Sequence, residues 1–522
     1  MNLLNSVSSD FITAVKYVPE AEGAKEEDAL KISNVASSLA VAYEAARNAV
    51  EFRSEHLIRQ AAIVRILKRR LLLGQASEKL ALLLVKELLW ARYLKENFIS
   101  KHKVLDIEKI IDKYRGAIPT AKDEGYSEWL WEIAACEIEE HLAFNPYPQI
   151  LINFVAQSLQ PRIDLKDEED GKTKDIQIYI AVERAFAKNS EVFISYHLLK
   201  ALYPAWLKAP VTETNKMHDE LILVYRQINN QLKYPLAFQI KREISRRTPP
   251  FNLIRELVTR YPDEFLASVS DKGNFETLAT KVLDELYRQT QAKLFRASTR
   301  SIIYIFLTKM VFGLALELPF DLFIGKTNYL ALGINTIFPP ALMFLLNFNI
   351  RIPGQENTRR MLTKVNEYLY EEKTTKALEI GKTPARVSTL QQAFLAIYGI
   401  LFVGLFAFII WLLNVLHFNP VSQLIFLFFL CVVSFFAFRV RAITKEYVYE
   451  EGREGFFASL LDFLFLPFIR VGQWISVQIA SLNLLTFIFD FIIEAPLKAF
   501  LEVVEEWVHF VRNKKEEIFS TG

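Results

Sequence analysis

SIIYIFLTKMVFGLALEL, residues 301–318, divides the chain into two kinds of sequence. Before it, charged and apolar residues mix at helical spacing. From it onward come runs of about twenty residues almost free of charge, long enough to cross a bilayer at 1.5 Å per residue. The pattern predicts an all-α protein: a helical head followed by a multi-pass α-helical membrane domain.

Four spans are expected, at 301–318, 328–348, 392–416 and 421–438. The segment between the second and third, 349–391, holds Arg351, Arg359, Arg360, Lys364, Lys373, Lys376, Lys382 and Arg386, whereas NVLHFNPVSQ, between the third and fourth, has no basic residue. Arg288, Lys293, Arg296 and Arg300 precede the first span, and Arg439, Arg441 and Lys445 follow the fourth. By the positive-inside rule these basic stretches are cytoplasmic, so the head and both termini are expected on the cytoplasmic side of the cytoplasmic membrane. MNLLNSVSSDFITAV lacks the basic start and long apolar core of a signal peptide, which agrees with a head that stays where it is made.

The head, 1–300, reads as two helical subdomains, 1–160 and 176–300, joined by the charged linker PRIDLKDEEDGKTKD at 161–175. Its helices are expected within 28–73 and at 77–98, 106–114, 127–142, 148–159, 175–188, 191–202 and 214–231. SRRTPPFN, 245–252, is a break at consecutive prolines. Residues 275–299 contain no proline or glycine and should run as one helix into the first span.

Beyond the fourth span, Leu464–Trp474 reads LFLPFIRVGQW, and Pro467 with Gly472 marks an expected turn. Ser476, Asn483 and Asp490, spaced by sevens, form a polar stripe on the apolar run that follows. Residues 441–493 are therefore expected to form a membrane-embedded or interfacial helical hairpin entered from the cytoplasmic face, and 496–522 an amphipathic helix and tail.

The formal charge of +2, from 62 basic and 60 acidic residues, gives no global attraction to nucleic acid. Cys136 and Cys431 imply no disulfide framework and read as buried free thiols. Aligning Gly171 with the glycine of a calcium loop places Lys166 and Gln177 where ligands are needed, so that motif fails. Glu137 and His141 stand one turn apart but lack the HExxH pattern, and no phosphate-binding loop or nucleophile elbow occurs; no metal or cofactor is expected.

What remains is a short set of candidates. Lys309 and Glu317 are polar contacts within the first span, with Ser476, Asn483 and Asp490 as further ones. Pro339 and Pro340 in the second span, with Pro467 and Gly472, are kink or hinge positions. Arg65, Lys68, Arg69 and Arg70 read first as a solvated helix face partly paired with upstream acids, with contact to anionic lipid as the functional alternative. The inventory favours a non-enzymatic envelope scaffold that sits in lipid, binds a protein partner through its head and self-associates, over a small-solute transporter or channel, or a lipid-handling enzyme at the interface.

Overall fold

The computed structural model describes residues 4–18, 37–38, 40–41, 44, 55–72, 74–94, 99–117, 124–166, 171–214, 216–317, 319–320, 329–348, 350, 353–371, 377–381, 389–449, 456–481 and scattered positions between 500 and 514. The chain is mostly helical, as the spacing predicts. It also contains one short parallel pair of strands, β1 (Ile163–Leu165) and β2 (Leu378–Ile380), in the register Ile163 to Leu378. Two compact units interleave in sequence. One takes Met1–Ile12, Pro161–Asp167 and Glu243–Leu482; the other takes Thr13–Gln160, Glu168–Arg242 and what is described beyond Asn483.

This division corrects the expected boundaries. Within 161–175, the residues up to 166 are not a free linker, because Ile163 and Leu165 alternate with exposed Asp164 and bury on β2. That short alternation is masked in the sequence by the charges around it. The acidic run at 167–170 lies outside the described residues. The segment 349–391 is not merely a loop either, since Gln355–Tyr370 is a helix that buries Met361, Val365, Tyr368 and Leu369. The chain's start joins this same unit: Asn5 Nδ2 donates to the Tyr368 carbonyl at 2.7 Å, and the Phe11 ring meets Phe265 edge-on.

In the other unit two apolar clusters form the interior. Ile63, Leu67, Leu80, Leu84 and Leu88 lead one, and Tyr114, Leu130, Ile194, Leu199 and Trp206 lead the second. Glu124–Leu142, Tyr147–Leu159 and Glu191–Leu202 lie within a few residues of their sequence bounds, whereas the helix expected at 77–98 ends at Trp90, where the backbone turns at Ala91. Ser190 caps Glu191–Leu202 through the Phe193 amide.

Four helices are long and apolar enough to cross a membrane: Lys272–Glu317, Leu330–Asn347, Gln392–Val415 and Pro420–Tyr447. The first begins as a 41-residue α-helix, Lys272–Phe312, capped by Asp271, so the expected continuity from the charged segment into the apolar one is present. Pro339 and Pro340 lie inside the helix Tyr329–Phe348 and do not divide it.

Pro467 and Gly472 require a larger correction. No turn occurs there: Phe456–Ser481 is one helix of 26 residues with Pro467 in its interior. The second arm of the expected hairpin, with Asn483 and Asp490, lies outside the described residues, as does most of 496–522. Gly472 serves close packing instead. A Cβ built on it would stand 2.1 Å from the Cys431 carbonyl oxygen and 2.8 Å from Phe435 Cβ. Two backbones approach here as they do in small-residue contacts between membrane helices. Pro420–Arg441 and Phe456–Ser481 are thereby held side by side, and Phe468 joins the apolar cluster of Phe426, Phe429, Leu430 and Val433.

Gly472→Ala should therefore destabilise the full-length protein by about 3 kcal/mol, since the obstacle is backbone and no rotamer relieves it. Thermal unfolding in detergent measures the loss, and a change below roughly 0.5 kcal/mol would contradict the contact.

Candidate functional site

Three of the apolar helices meet around one basic and one acidic side chain. Lys309 Nζ lies 2.6 Å from Glu317 Oε1, and neither side chain is exposed. At 3.6 residues per turn, eight residues would leave the two about 80° apart around the helix. Gly313–Glu317 forms a π-helical segment, and its wider turn returns Glu317 to the face of Lys309. Asn335, from Tyr329–Phe348, donates its Nδ2 to the same Glu317 oxygen and, at 3.3 Å, to the Ser422 carbonyl of Pro420–Arg441. The Lys309 ammonium also stands 5.2 Å from the centre of the Phe429 ring.

The sequence pointed to Lys309 and Glu317, and the structure brings them together. It did not point to Asn335. An asparagine in an otherwise uncharged apolar run carries the needed signal, since a buried amide there must find polar partners. Phe338, three positions on and on the same side of the helix, stacks on Phe426 with centroids 4.7 Å apart. Ser476 is partly buried on Phe456–Ser481.

The basic face of Glu55–Leu72 is engaged by carboxylates of its own unit. Glu87, whose side chain is fully buried, accepts from Arg69 and from Arg70 at 2.6 Å each. Arg65 meets Glu44 at 3.1 Å, and Lys68 meets Glu128 at 2.5 Å. Arg59 reaches Glu139 at 2.8 Å, yet burial still raises the Glu139 carboxyl above its ordinary range. These four basic candidates thus have protein partners in reach, Arg65 with the upstream Glu44 and the other three with the downstream Glu87 and Glu128.

Glu137 and His141 turn to different neighbours. Glu137 accepts from Lys113 at 2.5 Å and from the Tyr114 hydroxyl at 2.7 Å, while His141 Nε2 faces Asp106 at 3.5 Å. Among the described residues no group of three His, Cys, Asp or Glu side chains is placed to hold a metal ion. Nearby, burial pushes the Glu140 carboxyl up, but bonds from Lys200 and Tyr196 outweigh it and hold the group below the usual range. Cys136 and Cys431 are both buried and free. Burial lifts the Cys136 thiol well above its ordinary pKa, which makes it a poor nucleophile.

A second buried carboxylate lies in the same unit. Glu183, at the start of the π-helical turn Glu183–Ala187, pairs with His197 Nδ1 at 2.6 Å and with Asn189 Nδ2 at 2.5 Å. His197 lines a cavity of about 430 Å3 with Tyr179, Asp175 and Lys200. A carboxylate behind an imidazole orients it, but among the described residues no serine or cysteine nucleophile lines this cavity.

Glu87→Gln should lower the stability of the full-length protein by about 3 kcal/mol, because two guanidinium groups would be left facing a neutral amide. Urea unfolding followed by tryptophan fluorescence reads this, and an unchanged midpoint would mean that the pairs contribute nothing. No family model, no curated protein and no solved structure matches this chain.

Proposed function

We propose that this chain is a multi-pass integral protein of the cytoplasmic membrane, a non-enzymatic scaffold whose helical head recruits a protein partner on the cytoplasmic side. The observation that carries this reading is the third apolar helix. An 18-residue stretch of Gln392–Val415 has no buried position, and Phe394, Leu395, Ile400, Val403 and Trp411 face outward. In water such a surface would drive aggregation; against lipid chains it costs nothing.

Anchoring is favoured over conduction by what lies between the helices. Phe312 packs on Phe428 and Phe429, Phe338 on Phe426, and Phe406 on Phe468, so the helices meet through aromatic rings. Lys309, the basic group inside this bundle, is bonded to Glu317 and Phe429. Leu223 and Phe238, 63% and 74% exposed on charged helices, are apolar points where a partner of the head would gain contact. Self-association through the outward aromatic face is part of the same reading. A transport role is the second reading, favoured by one observation: Glu317 Oε2 and Asn335 Oδ1 are buried without a hydrogen-bond partner among the described residues.

Placement is tested by cysteine labelling in intact cells after Cys136 and Cys431 are replaced. His417→Cys should react with an impermeant reagent from outside, and Thr374→Cys and Thr521→Cys should not; the reverse pattern overturns the topology. Function is tested in liposomes. The full-length protein should add no proton or potassium leak to that of lipid alone, whereas a leak abolished by Lys309→Met would establish the transport reading instead.

A further inference from the structure

Glu317 uses its two oxygens unequally. Oε1 accepts from both Lys309 Nζ and Asn335 Nδ2, while Oε2 accepts from no group among the described residues. Asn335 is just as uneven, since Nδ2 serves Glu317 and the Ser422 carbonyl, and Oδ1 has no partner among them. Both side chains are fully buried, where an unmet acceptor carries its whole desolvation cost.

The two unmet atoms are the second atoms of two planar groups that already share one bond. A carboxylic acid and a primary amide pair through two: amide N–H to acid carbonyl, and acid O–H to amide carbonyl. Here the first bond is present, and the atoms of the second are the two left over. We propose that Glu317 is held as the neutral acid, its Oε2 hydroxyl donating to Asn335 Oδ1, so that the buried pair it forms with Lys309 is neutral inside the helix bundle.

The proton balance closes within the cluster. Lys309 gives one proton to Glu317 Oε2 and becomes an amine, which still donates an N–H to Oε1. Oε1, now a carbonyl oxygen, accepts from Lys309 and Asn335 and has both lone pairs filled. Net charge is unchanged, and no outside acid or base is needed. Exchanging a buried charged pair for a neutral one also removes the desolvation cost of two ions.

The groups around the cluster do not oppose this. Tyr329–Phe348 carries no charged residue, and the Phe429 ring is the face that Pro420–Arg441 turns to Lys309. The other titratable or charged groups of that helix are Cys431 and, near its far end, Arg439 and Arg441. On Lys272–Phe312 the nearest are Tyr304, which is 64% exposed, and Arg300, nine positions before Lys309. Among the described residues the cation paired with Glu317 is Lys309. The inference is independent of the anchoring role and of which side holds the head.

Glutamine is the test, because it copies the acid: its carbonyl replaces Oε1 and its amide donates where the hydroxyl would. In the purified full-length protein, Glu317→Gln should leave Tm within about 2 °C of the wild type. Infrared spectra of the wild type should contain a protonated-carboxyl band that this variant lacks and that persists in Lys309→Met. A fall in Tm of more than roughly 5 °C in Glu317→Gln, with no such band in the wild type, would mean an ionised pair and overturn the proposal. Where Tm and spectrum disagree, the band decides. Should Glu317→Gln fail to fold, Glu317→Asp takes its place: a shifted band supports the proton on this residue, and an unshifted or absent one refutes it. Cysteine labelling of the same preparations keeps a failure here separate from a failure of the topology.

Discussion

A basic and an acidic group buried among phenylalanine rings must find each other, because nothing else in that surrounding can solvate them. Lys309 and Glu317 are on one continuous helical segment, and the π-helical turn at Gly313–Glu317 is what allows them to meet. Asn335 then ties the same oxygen to the Ser422 carbonyl, so one polar contact fixes the approach of three helices. Apolar packing alone would not set their rotation so tightly, since lipid chains solvate phenylalanine as well as a neighbouring helix does.

Where no polar contact is available, backbone proximity does the work. Gly472 lets Phe456–Ser481 lie directly on Pro420–Arg441, and Phe468 enters the space so formed. Pro467 can stay inside a helix because its lost bond is one among many, and the residues around it remain helical on both sides. The same economy appears at Pro339 and Pro340, which sit within an unbroken helix.

The head solves the opposite problem. Its helices are rich in charge, and the arginines that looked available to lipid are matched by buried acids, with Glu87 between Arg69 and Arg70 as the clearest case. Such pairs contribute little when exposed and much when desolvated, so they orient helices as well as dissolve them. A unit built this way presents a mixed surface of charged residues with a few apolar points.

By itself the sequence determined the helical class, the apolar segments and most helix bounds, because 3.6-residue spacing and uninterrupted apolar length are local properties. It also singled out Lys309 and Glu317, since charge is conspicuous where there is almost none. Only the tertiary structure decided their pairing, which needs a change of helical period at 313–317 that no local pattern announces. The roles of Asn335 and Gly472 were likewise decided by neighbours more than forty or eighty residues away. The strand at Ile163–Leu165 belongs to the same group, because three alternating residues become a strand only when Leu378–Ile380 offers its hydrogen bonds. Glycine and proline mean turns when water can take the freed backbone groups, and mean contact or tolerated kinks when another helix lies against them; that choice is made by what surrounds the chain.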